Sequence, residues 1–337
     1  MKPLLTLSTL LLASTLCASA ATEENIHETR AAKPGGTLVV EVEFGSIDVA
    51  PGENNQVAID AHRKISASSK DKEEEYLKAV PITITTEGDK VIVRAIHKHE
   101  ALRTQIWNLL GNRSNTEGRY TIRVPANFST DLDTSGGSIS VNKLTGSLKA
   151  DTSGGNLTFD QIKGDIHADT SGGDIKASAC DGKIKLDTSG GRIEVNNGRG
   201  SLNADTSGGP ITVLTFAGDT NVESSGGKLR LSHISGKLRA ETSGGSIAAI
   251  LPSPVTDDVR LETSAGQITV VTPANAALTI DAETSAGRVR SDLPISRVSA
   301  ESDSLKGTIN GGGKKLTLRT SAGSIEIVAA DKETAQQ

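Results

Sequence analysis

An all-β chain, a β-solenoid (β-helix-like) of 18-residue coils, is predicted by three features of the sequence. A four-residue motif returns every 18 residues, short runs of alternating apolar and polar residues fill the space between returns, and aromatic residues make up only 2% of the 337. A fixed period marks stacked supersecondary units. The alternation marks half-buried strands, and the lack of rings excludes a round core in favour of a thin one.

Thr-Ser-Gly-Gly begins at Thr134, Thr152, Thr170, Thr188, Thr206 and Thr242, with Ser-Ser-Gly-Gly at Ser224. It continues as Thr-Ser-Ala-Gly at Thr263 and Thr284 after steps of 21, degenerates at Ser302 and closes at Thr320, giving eleven stations. Within each coil a second glycine follows nine residues after the first, as Gly146 follows Gly137, so two turns and two short strands per coil are expected. Such strands bury an apolar face only by stacking on copies of themselves. At about 4.8 Å per coil, the ten steps from Thr134 to Thr320 predict a rod about 50 Å long. The longer coils place their extra residues at Pro252-Ser253-Pro254 and around Pro273, as loops on one edge.

The elements before the rod follow in order. Lys2, the apolar run Leu4 to Leu16 and Ala18-Ser19-Ala20 read as a secretory signal cleaved after Ala20. A lipid anchor at Cys17 is the competing reading, disfavoured by Leu16. No later stretch is apolar enough for a spanning helix. After cleavage Cys180 is the only cysteine, so no intrachain disulfide is expected.

Gly36 and Gly45, nine apart, mark a first coil, followed by strands near Gln56 to Ile65, Ile82 to Thr86, Val91 to His97 and Tyr120 to Val124. Two short helices are expected between them. One, capped by Ser69, runs Lys70 to Ala79 with an apolar stripe of Tyr76, Leu77 and Val80. The other runs Glu100 to Leu110. An open stack would template fibres, so this irregular N-terminal, β-rich region reads as the cap. The chain divides into a signal peptide at 1–20, first coil and cap at 21–130, repeat domain at 131–328 and flexible tail at 329–337.

Tyr120-Thr121-Ile122-Arg123-Val124-Pro125, the run Asp131 to Ile139, the Thr-Ser-Gly-Gly series and the closing Gly307 to Gly313 and Thr320 to Ile325 resemble the bacterial putative-adhesin family of exported β-strand-repeat proteins. The resemblance covers Gly36 to Val328. It implies an exported β-helical protein of the cell envelope or exterior, and it carries no catalytic residues.

Candidate chemistry is concentrated in a column. The residue before each Thr-Ser station is acidic at Asp133, Asp151, Asp169, Asp187, Asp205, Glu223, Glu241, Glu262, Glu283 and Glu301, and Lys149, His167, Lys185, Arg239 and Arg260 stand two residues earlier. This reads as a surface charge lattice. Calcium is the sharper alternative, but the places that secreted calcium-binding β-rolls use as ligands hold residues such as Ile139 and Val141. A glycosidase pair is the third, but an active site breaks repeat symmetry and this column does not. Ser135 and its equivalents read as turn residues, and His97, His99 and Glu100 as solvated rather than metal ligands.

The expected function is therefore a non-catalytic structural or interaction (adhesin-like) protein, periplasmic or extracellular. A binding module for glycan or peptide is the alternative, and a polysaccharide-active enzyme comes last. No catalytic or metal residues and no cofactor are expected. The net charge of −5 with interspersed signs argues against nucleic acid. The expected partner is an envelope or surface component, with self-association along the solenoid edges as a further expectation. Trp107, the only Trp, with Leu109 and Leu110, is the candidate contact site, the alternative being that this helix covers the open end of the first coil.

Overall fold

The computed structural model describes residues 21–97 and 115–330. They are nearly all β, in one continuous sheet whose repeated strands wrap about a single axis. Each coil carries two main strands in parallel, in-register ladders with the coils on either side. Leu148–Thr152 pairs with Ser129–Thr134 below and Ile166–Thr170 above, and Leu157–Asp160 lies between Ile139–Asn142 and Ile175–Ser178. Inward residues stack like on like: Ile47, Ile139, Leu157, Ile175, Ile193 and Ile211 form one buried column.

The coil has three corners rather than the two that the glycine spacing suggested. The additional corner is made by Lys143, Gln161, Ala179, Asn197, Thr215 and His233, all with φ between 50 and 61°. Non-glycine residues seldom adopt this left-handed conformation, and the absence of glycine hid the corner from a reading of glycine spacing. It opens a short third side where Leu144, Ile162, Cys180, Phe216 and Ile234 point inward and Thr145, Lys163 and Asp181 bridge coil to coil. In one coil Gly198 holds the inward place, because a Cβ there would lie 2.6 Å from the ring of Phe216 in the next coil.

Chain order and stacking order part at both ends. Thr37–Val42 and Ser46–Pro51 form the first coil, yet it lies between the Thr134 coil and an outer coil made of Lys90–Ala95 and Asn115–Val124. At the far end Lys314–Ala322 and Ile325–Ala329 insert between the Thr263 and Thr284 coils. The expected ten-step register is therefore corrected: from Thr134 the stack runs nine steps, through Thr263, then Thr320, then Thr284. The expected station at Ser302 is not a coil but part of an antiparallel hairpin of Ser296–Ala300 with Ser304–Ile309, which covers the edge of Leu278–Ala286.

The N-terminal end is closed by antiparallel strands. Gln56–Ser66 pairs with Asn115–Val124, and Thr22–Ala31, a strand the sequence reading missed, pairs with Gln56–Ser66. Thr83–Glu87 covers Lys90–Ala95. The expectation of two helices is not borne out: among the described residues there is one, Lys70–Ala79, and the span Glu100 to Leu110 lies outside them. Ser69 sits at its N-cap without a side-chain capping bond. The helix is anchored instead by Tyr76 and by buried Glu73, whose carboxylate accepts from Thr22 N at 3.0 Å, Thr22 Oγ1 at 2.6 Å and Ala67 N at 2.9 Å. Arg63, fully buried, donates to Glu24 and, at 2.7 Å, to the carbonyl of Val80.

Candidate functional site

The motif builds one corner of every coil by assigning each residue a direction. In Asp169-Thr170-Ser171-Gly172-Gly173 the acid points out and Thr170 points in, where its hydroxyl donates to Gly155 O of the coil below at 3.1 Å and accepts from Gly173 N at 3.2 Å. Thr152, Thr188, Thr206, Ser224 and Thr242 repeat both bonds. The station hydroxyl is thus a buried staple between coils. The following serine is exposed, and its carbonyl accepts the next coil's first glycine N–H, as Ser153 O does from Gly172 N at 3.1 Å.

The outward acids, half-buried at Asp187, Asp205, Glu241 and Glu262, and the exposed serines of successive coils form the two sides of a groove of about 940 Å³, running from Asp169 to Ser321. The charge of the whole acidic column is balanced unevenly. Lys149 pairs with Asp151 at 2.6 Å, Lys185 with Asp187 at 2.9 Å, Arg239 with Glu241 at 2.7 Å and Arg260 with Glu262 at 2.8 Å. In the coils between, the neighbours are neutral: Asn203 donates to Asp205 at 2.6 Å and Asn221 to Glu223 at 3.1 Å. Burial first, then the charges of Asp187 and Glu223, push the Asp205 carboxyl above its ordinary value. Asp133 is raised in the same way, by burial and then by Asp151.

Basic groups terminate the column. Glu41 continues it below Asp133, where it meets Arg94 of the outer coil at 2.7 Å. Arg319 of the inserted coil stands between Glu262 and Glu283 and reaches Asp281 at 2.8 Å. Burial raises the Asp281 carboxyl, but the hydrogen bond and charge of Arg319 outweigh it and hold it below the ordinary value. Arg319 could have been read directly as the residue before Thr320; its place inside the column depended on the stacking order. Glu301, expected as a member, is not one, because it lies in the turn of the terminal hairpin, with Glu301 N bonded to Ser304 O at 2.9 Å.

The structure bears on two further readings. Ile139 and Val141 are wholly buried, so the places of β-roll calcium ligands face the core. His97 is not solvated. Its ring is packed against Glu43, which also accepts from His97 N at 3.0 Å, and against Tyr76 edge-on at 5.9 Å. His99, Glu100, Trp107, Leu109 and Leu110 lie outside the described residues. Among the described residues no helix is long and apolar enough to cross a membrane.

Residues 215–328 match the model of the Toastrack DUF4097 family. Over that segment, about a third of the chain, the protein is similar to a Toastrack domain. That finding accords with the resemblance to the bacterial putative-adhesin proteins. The Toastrack segment includes the inserted coil and the groove from Glu223 to Ser321, while the same 18-residue period continues outside it, back to Thr134.

Similar solved structures include a putative cell adhesion protein from Clostridium sporogenes ATCC 15579, with 13% identity, 91% of this chain and 100% of that chain covered, and a TM-score of 0.23. Two from Parabacteroides distasonis ATCC 8503 are a putative adhesin (9% identity, 91% and 97% covered, TM-score 0.40) and a putative lipid binding protein (11% identity, 93% and 98% covered, TM-score 0.35). TM-scores this low supply no argument about function. No curated protein matches the sequence.

Proposed function

We propose that the chain is an exported, non-catalytic interaction rod of the cell envelope or exterior, held on its target by many equivalent weak contacts. The observation that carries this reading is the groove, which presents an acid and serine pair coil after coil from Asp169 to Ser285, broken only where Arg319 takes the place of the acid in the inserted coil. A surface that repeats favours avidity over a single selective pocket. The export signal at 1–20 supports the location, and the interspersed charges support a partner other than nucleic acid.

The test is fractionation of native cells followed by retention of the purified chain on envelope material. Retention that falls stepwise as groove carboxylates are replaced, Asp187→Asn, then Asp205→Asn, then Glu241→Gln, is expected. Loss of all retention with one replacement would instead mark a discrete site. The dimensions of the groove favour a second reading, a binding module for one extended glycan or peptide, for which saturable one-to-one binding in solution would be decisive. Turnover of uronate polymers would overturn the non-catalytic assignment.

A further inference from the structure

The cap sheet carries a polar constellation remote from the groove. Strands Thr22–Ala31 and Gln56–Ser66 place Asn25 opposite His62 and His27 opposite Asp60, and strand Asn115–Val124 places Arg119 opposite His62 and Thr121 opposite Asp60. The two-residue period of a strand puts these six on one face, where they line a shallow cavity of about 250 Å³.

The two imidazoles are oriented alike. His27 Nδ1 lies against the Asp60 carboxylate, and His62 Nδ1 is 2.7 Å from Asn25 Oδ1. Both oxygens accept, so in each neutral ring Nδ1 carries the proton and Nε2 keeps the lone pair. An oxygen acceptor behind the ring is how proteins fix the tautomer of a metal-ligating histidine and raise its basicity. Diagonal neighbours on paired strands lie about 7–8 Å apart, a span that two imidazoles close around one ion at about 2.0–2.1 Å per bond.

We propose that His27 and His62 bind one divalent transition-metal ion of the zinc, copper or nickel class through their two Nε2 atoms, with Asp60 and Asn25 as positioning residues. Among the described residues no three His, Cys, Asp or Glu side chains are grouped to hold a metal, so the two nitrogens are joined by water. Imidazole nitrogen selects these ions over calcium and magnesium, which require oxygen. The site thus differs in ligand chemistry from the acidic groove.

The test is calorimetric titration of zinc into the intact chain with calcium in excess to occupy carboxylates. One zinc per chain is expected, lost in His27→Ala and in His62→Ala, weakened about 10- to 100-fold by Asp60→Ala, and unchanged by His167→Ala. Unaltered thermal unfolding of each metal-free variant confirms that the fold persists. Copper bound to the wild-type chain should show two equivalent nitrogens by electron paramagnetic resonance. No binding by the wild type, fewer than two nitrogens, or binding that survives both histidine replacements overturns the proposal.

Discussion

Gly172 and Gly173 are adjacent and identical, yet only the first should tolerate a side chain; its place already holds alanine at Ala265, Ala286 and Ala322, where the second glycine is kept. A Cβ on Gly173 would lie 1.9 Å from Gly155 O in the coil below, whereas on Gly172 the nearest heavy atom is Ser153 O at 3.8 Å. Neither needs a left-handed backbone. Gly173→Ala must therefore push two coils apart by about 1.5 Å, a third of their roughly 4.8 Å spacing, and the obstructing atom is backbone, which no rotamer change can move.

The hydrogen bond of Thr170 to Gly155 O crosses between the coils and lengthens with their separation, whereas the one from Gly173 N lies within a single coil. At about 0.5–1.5 kcal/mol for the inter-coil bond, added to about 1–3 kcal/mol for overpacking, the expected loss is about 1.5–4.5 kcal/mol. Gly172→Ala should be neutral or stabilise by about 0.4–1 kcal/mol through the unfolded chain. Because stacked repeats can open locally, hydrogen exchange of amides 166–178 is the assay, with urea unfolding as the global check. Equal protection in the two variants would refute the stacking argument.

Three further outcomes are expected. Thr188→Val should lower stability by about 1–3 kcal/mol by leaving Gly191 N–H buried without its acceptor, whereas Thr188→Ser should stay near wild type, since Ser224 already makes both bonds; urea midpoints compare the two. Asp169→Asn should change stability by about 0–1 kcal/mol, and a loss above about 3 kcal/mol in thermal unfolding would reveal a buried network. The raised carboxyls of Asp133 and Asp205 bind protons more tightly folded than unfolded, so their ionisation weakens the rod as pH rises from the unfolded carboxylate value through their folded values. Asp281, held low by Arg319, acts oppositely, and its stabilisation fades as pH falls through its folded value. Asp205→Asn should therefore stabilise at neutral pH with the gain vanishing in acid, and a pH-independent difference in unfolding midpoint would contradict this.

The sequence revealed the period, the inward columns and the acidic face because neighbouring coils repeat the same environment, so pattern and contact coincide. It failed where contacts join unlike or distant segments. The corner at Lys143 and Gln161 has no glycine to announce it. The insertion at Thr320 follows no local rule, and with it went the place of Arg319 and the exclusion of Glu301. The facing of His27 with Asp60 and of Asn25 with His62 depends on an antiparallel register between strands more than thirty residues apart, one of which was not foreseen.

At each end the outermost coil is built by a segment from the chain's interior, and the first and last coil-forming segments lie one layer in. A new coil built directly after either of these segments would find both of that segment's ladder edges already occupied. The simplest change of length is therefore from within, by gain or loss of whole 18-residue units between the two seals. The stretch where successive units are most nearly interchangeable, Thr152 to Gly209, is the interior stretch where such a duplication would leave both seals untouched.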